Sequence, residues 1–196
     1  EYGMILDIYA FDAGFVDGAA FSAIMAKSDR FKQQFPNGLD GVVRAAAKMG
    51  TRLGHWGGPD GFGKTPEEEQ QRIDMMAGLC RDYHWALYKF DGVCGELRPE
   101  KEPAFIRMMK ESRKYSPDLI ALNHRLPLGE EGLALMTTKL WDGQETYIDV
   151  HIGNEVTAPH HRAGAISRGN TPRFSRLFED HGVYISSCPD NFDDDM

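Results

Sequence analysis

Long apolar runs are missing from this 196-residue chain. Nothing approaches the roughly 18 consecutive apolar residues of a membrane helix, so no membrane partner is expected. Cysteine is scarce. Cys80, Cys94 and Cys188 lie far apart with no CxxC pair, which excludes a zinc knuckle and a disulfide scaffold, while their odd number leaves the redox compartment open. Positive charge is also short: 22 Lys and Arg stand against 30 Asp and Glu, a formal net charge of -8, with no basic stripe interleaved with aromatics. Non-specific nucleic-acid binding draws its affinity from cations on phosphates, so no nucleic-acid partner is expected. A charged-then-apolar leader is lacking too. The chain opens "EYGMILDIYAF", without Met and already inside an apolar run. That start reads as a chain processed or cut from something longer, a periplasmic or secreted protein with its signal removed being one such case; compartment and oligomeric state stay open.

What is present suffices for a core. With 41% hydrophobic and 11% aromatic residues the chain reads as one globular unit, residues 1–196. Six segments have strand character: "MILDIYAF" (4–11), "TRLGHW" (51–56), "WALYKFD" (85–91), "DLIALNH" (118–124), "TYIDVHI" (146–152) and "GVYISS" (182–187). Helical patterns fall between them. One covers 39–49, after a possible cap at Asn37 and stopping at Gly50. "TPEEEQQRIDMMAGLCRDY" places Thr65 as N-cap, Pro66 first in the helix and Glu68 to complete a capping box. "EKEPAFIRMMKESRKY" and "TPRFSRLFEDHG" repeat the design.

Strands alternating with helices predict an α/β fold with a parallel sheet. Functional-looking residues sit at several strand ends: Asp7 and Asp12, Trp56, Lys89 and Asp91, Asn123 to Arg125, Asp149 and His151, and Asp190. An open sheet gathers its site at one switch point, whereas a barrel draws on every strand for a common top face. The spread therefore predicts a (β/α)8 TIM-type barrel. Such barrels take about 250 residues, so about six βα units imply an incomplete one.

Residues 58–65, "GPDGFGKT", match the phosphate-loop pattern in full. A phosphate loop needs consecutive backbone N–H groups at the helix start, and Pro66 removes one. A glycine-rich loop before a capped helix is the preferred reading, with a phosphate-loop nucleotidase as the lesser alternative.

"FPNGLDGVVRAAAKMGTRLGHWGGPDGF" followed by "YKFDG" resembles the catalytic barrel of α-galactosidase-like glycoside hydrolases, the melibiase and raffinose-synthase clan, over roughly residues 30–92. The resemblance implies a glycosidase acting on oligosaccharides or glycosides, with α-linkage most plausible, without a cofactor or metal, as part of a larger multidomain parent. It assigns Asp91 as the nucleophile, Lys89 as a lysine bonded to sugar hydroxyls, Trp56 as an aromatic at the sugar site and Asp149, two strands later, as the acid/base. Two departures stand out. Where the family often has W-x-E-P-E this chain has "WGGPDG", and "NHRLPLG" replaces a glycine-rich segment; both imply a different sugar or linkage.

Retaining hydrolysis needs one ionised carboxylate to attack the anomeric carbon and one protonated carboxyl about 5 to 5.5 Å away to serve the leaving oxygen. Lys89 beside Asp91 favours the ionised form, and a drier setting at Asp149 would favour the protonated one. Glu155 is the rival acid. Glu96, Asn123, Arg125, His151, Asp190, Asp7 and Asp12 complete the candidate substrate contacts. A lone strand-end aspartate is more often a helix cap, and a lone Trp more often core. Paired His160 and His161 are more often surface residues than metal ligands. "DNFDDD" (190–195) lacks the glycine and terminal glutamate of a calcium loop. A non-catalytic carbohydrate-binding relative is the alternative from another class.

Overall fold

A computed structural model describes residues 6–11, 15–16, 24–92, 95–124, 126–137, 140–141, 144–145, 151–152 and 186–187. The chain divides into two compact units, Met4–Thr137 and Glu1–Gly3 with Thr138–Met196.

The first unit is built on four parallel strands: β1 (Ile8–Phe11), β2 (Arg52–Gly57), β3 (Leu87–Asp91) and β4 (Ile120–His124), hydrogen-bonded in that order. Between and after them lie helices α1 (Asp29–Gln34), α2 (Asp40–Lys48), α3 (Pro66–Tyr83), α4 (Glu102–Tyr115) and α5 (Glu130–Ala134), with short 3-10 turns at Met25–Lys27 and Pro99–Lys101. Parallel strands added always on the same side, when joined by crossovers of the usual right hand, carry their connecting helices on one face. Side chains bear this out. Tyr88 donates to the carbonyl of Met76 in α3 at 2.5 Å, and Phe90 packs edge-on against Phe105 of α4 with ring centroids 4.9 Å apart. Phe11 meets Phe35 and Trp85 on the same side.

The α3 signals act as the sequence predicts. Thr65 accepts from the Glu68 N–H while the Glu68 carboxylate accepts from Thr65 N–H, and Pro66 opens the helix. His84 closes it with φ 50°, a left-handed cap whose N–H reaches the Cys80 carbonyl. The predicted cap at Asn37 is not used. Asn37 lies in the turn behind α1, and α2 starts at Asp40 after Leu39. The first strand is shorter than the 4–11 expected, beginning at Ile8.

In the second unit Leu140–Trp141 (β5) pairs antiparallel with Gln144–Glu145 (β6), and His151–Ile152 (β7) pairs parallel with Ser186–Ser187 (β8). The ends of two expected strands thus pair with each other. The helix expected at 171–182 lies outside the described residues.

Candidate functional site

Strand periodicity separates the chemistry onto two faces. Register aligns Phe11 with His55, His55 with Tyr88 and Phe90 with Asn123 on the helix-covered face. It aligns Trp56 with Lys89 on the other. Lys89 and Asp91, two residues apart, share that second face, about 6.6 Å from each other along the strand. The Trp56 indole Nε1–H donates to Asp91 Oδ2 at 3.1 Å. All three are buried, with relative exposures of 3% for Trp56, 3% for Lys89 and 7% for Asp91. These three residues occupy the carboxyl ends of adjacent parallel strands, where α/β folds present their sites.

Two loops leave these strand ends. In the β2–α3 loop, partial burial alone would raise the Asp60 carboxyl, but Arg98 and the backbone N–H groups of Gly61, Arg98 and Phe62 outweigh it and hold the group well below the usual carboxylate range. Asp60 Oδ1 accepts from Gly61 N at 2.6 Å, Phe62 N at 3.1 Å and Arg98 Nη2 at 2.9 Å. Its Oδ2 accepts from Arg98 N at 3.1 Å and Nε at 2.8 Å, and Arg98 Nη2 also reaches the Gly63 carbonyl at 2.8 Å. Further along, Glu68 Oε2 accepts from Lys64 N at 2.7 Å and Thr65 N at 3.2 Å. The N–H groups a phosphate would need at Gly61, Phe62, Lys64 and Thr65 are therefore already bonded to carboxylates. A Cβ on Gly63, at φ +63°, would fall 2.4 Å from Glu68 Cβ, so the Glu68 side chain fills the loop's hollow. The geometry speaks against a phosphate loop.

Behind the site, Trp85 Nε1 donates to His55 Nδ1 at 2.9 Å. Burial, aided by the charge of Arg72, lowers the His55 pKa from 6.5 to about 3, so the ring is a neutral acceptor. Arg72, also fully buried, donates through Nη2 to the Gly58 carbonyl at 3.1 Å. Burial lowers its pKa to about 10, which leaves it charged at neutral pH. Cys80 Sγ lies 3.2 Å from the Tyr88 hydroxyl, and burial raises both groups.

Of the residues expected at the site, Trp56, Lys89 and Asp91 come together. Glu96 is exposed on the β3–α4 loop. Asn123 is placed on the opposite face of the sheet from Trp56 and Lys89. It faces the helices by register, is 2% exposed and exchanges hydrogen bonds with the Leu126 backbone, Nδ2 to O at 3.2 Å and Leu126 N to Oδ1 at 2.7 Å. Asp7 precedes β1 and is exposed at the amino end of the sheet, where its carbonyl accepts from Arg52 N. Asp12, Arg125, Asp149, Glu155 and Asp190 lie outside the described residues. His151 is placed in β7 by its backbone alone. His55, Asp60, Arg72 and Arg98 were not expected. Only Asp60 carried a signal, as the aspartate of a Pro-Asp-Gly turn.

Among the described residues no three His, Cys, Asp or Glu side chains group to hold a metal ion, and no helix is long and apolar enough to cross a membrane. No family model matches the chain, and no curated protein matches it. Among solved structures it is similar to TtGalA, the α-galactosidase from Thermus thermophilus in complex with stachyose, with a TM-score of 0.46 and 16% identity over 92% of this chain and 46% of that one. The chain spans less than half the length of that enzyme.

Proposed function

We propose that the four-stranded sheet is part of a (β/α)8 barrel and that the chain is the catalytic portion of a retaining glycoside hydrolase, α-galactosidase-like, acting on oligosaccharides or glycosides. The observation that carries the reading is the buried Trp56–Lys89–Asp91 group at the carboxyl ends of β2 and β3. The sequence resemblance, with its lysine-aromatic-aspartate strand end, supports the same assignment.

In this reading Asp91 attacks the anomeric carbon. The glycosidic bond breaks, its oxygen takes a proton from the acid, and a glycosyl ester forms on Asp91. Water, deprotonated by the same second group, then cleaves the ester and restores both carboxyls. The Trp56 N–H fixes the orientation of Asp91, and Lys89 donates to sugar hydroxyls.

Asp149, with Glu155 as its rival, is the acid by sequence order.

The test is intact-mass spectrometry after incubation with fluorinated glycosyl probes, on this chain and on any longer parent, with peptide mapping of the adduct. A single glycosyl mass increment on Asp91 is expected, absent in Asp91→Asn. Azide rescue of Asp149→Ala or Glu155→Ala then identifies the acid. A folded protein that binds sugars but takes no label from any probe would instead be a carbohydrate-binding relative.

A further inference from the structure

The loops that follow Trp56 and Asp91 are tied to each other. Asp60 lies four residues beyond Trp56, and Arg98 lies seven beyond Asp91. Both oxygens of the Asp60 carboxylate are bonded by the Arg98 guanidinium, and Oδ2 also takes the Arg98 backbone N–H. Planar two-point pairing of this kind fixes orientation as well as distance. The same guanidinium bonds the Gly63 carbonyl, so a single side chain holds the middle and the far end of the β2–α3 loop. Phe62, between them, is wholly buried. The near end is held from beneath by Arg72 on the Gly58 carbonyl, two residues from Trp56.

A loop pinned at its start, middle and end leaves Trp56 little freedom to move relative to β3. The Trp56–Asp91 bond is sensitive to slack there, because it joins the carboxyl ends of two neighbouring strands. Asp60 is 17% exposed and the Arg98 side chain 39%. A partly exposed ion pair contributes modestly to stability, and the three bonds that Arg98 makes to Asp60 are better matched to alignment.

We propose that Arg98 and Asp60 are positioning residues that set the Trp56–Asp91 contact. The inference rests on the proposed role of Asp91, but its primary readout does not. In a ¹H–¹⁵N spectrum the Trp56 indole N–H, assigned through Trp56→Phe, reports the bond to Asp91 whether or not the protein has an activity. Arg98→Met should shift that resonance and speed its hydrogen exchange by about tenfold, while the Trp85 indole, bonded to His55 on the other face, stays in place. Arg98→Lys should fall between, since an ammonium cannot reproduce the planar pairing. Asp60→Asn keeps an oxygen for Gly61 and Phe62 but removes the charge Arg98 pairs with, and should match Arg98→Met. Where a glycoside substrate is turned over, both variants should lose kcat more than they raise KM.

An unshifted Trp56 indole with unchanged exchange in folded Arg98→Met and Asp60→Asn would overturn the proposal. Unfolding of both variants would assign the pair to stability and overturn it too. A shifted indole in a protein with no glycosidase activity would keep the positioning role and reject the hydrolase reading.

Discussion

The neutral imidazole of His55 stands against Trp85, Tyr88 and Phe15, with one nitrogen accepting the Trp85 indole N–H. Protonation would add a charge to an apolar layer already holding Arg72, and would remove the acceptor. The folded pKa is therefore depressed from 6.5 to about 3. In that window the unfolded chain binds a proton that the native state refuses, so stability falls as pH falls from about 6.5 toward 3, by about 1.4 kcal/mol per unit at most from this group. Urea unfolding at pH 7 and pH 5 should show a lower midpoint at pH 5. In His55→Phe the protein should be less stable at pH 7, by about 1 to 3 kcal/mol for the orphaned Trp85 donor, yet lose less on going to pH 5. An equal acid loss in both proteins would mean that another group titrates.

At this scale the legible signal is a polar or charged residue that interrupts an apolar pattern. Lys89 and Asp91 stand out in "WALYKFD" because a doubly covered strand has no ordinary use for them. Asn123 stands out as a polar residue in the apolar run "DLIALNH", its amide is bonded to the Leu126 backbone, and strand parity alone distinguishes its face from that of Lys89. Asp60 with Arg98 is illegible because a loop-to-loop pair 38 residues apart has no periodicity to betray it.

Among the elements, α3 was readable because its cap, proline and closing turn are local and mutually consistent. Helices α1 and α5 span six and five residues. That is under two turns, too short to establish an amphipathic period, and tertiary packing must supply their stability. For α1 only Ser28, whose hydroxyl accepts from Phe31 N at 3.1 Å, marks the start. The strands behave differently, because contacts between them constrain residues that local patterns treat as weak. Gly54 in β2 sits beside Leu87 of β3, and a Cβ there would lie 2.7 Å from Leu87 Cβ and 2.8 Å from its carbonyl oxygen. Backbone cannot yield as a flexible side chain can. Gly54→Ala should therefore destabilise the protein by about 1 to 3 kcal/mol despite the better intrinsic propensity of alanine, measured as a drop in Tm with the far-ultraviolet spectrum retained. A neutral or stabilising result would show that β2 and β3 can separate at this point, and the Trp56–Asp91 distance would then be adjustable.

For the molecule as a whole, the sequential order of β1 to β4 bears on what the chain is. A doubly wound sheet reverses its order and puts helices on both faces, whereas this sheet progresses in one direction with its aromatic contacts to helices on one side. The alternation of strands and helices in the sequence was enough to foresee parallel pairing, but barrel closure depends on contacts between residues distant in sequence. Hydrogen exchange can resolve that question. β3 is bonded to β2 and β4 and packed against α3 and α4, so its amides should open only with global unfolding. β4 gains a further partner in Thr137. β1 is bonded to β2 on one side, and Tyr9 within it is 42% exposed. In an uncapped sheet the β1 amides turned away from β2 should exchange orders of magnitude faster than those of β3. Equal protection of β1 and β3 in dilute protein would mean that another strand covers the first edge. Protection appearing only at high protein concentration would assign that strand to a second copy, because an exposed parallel edge is a template for pairing.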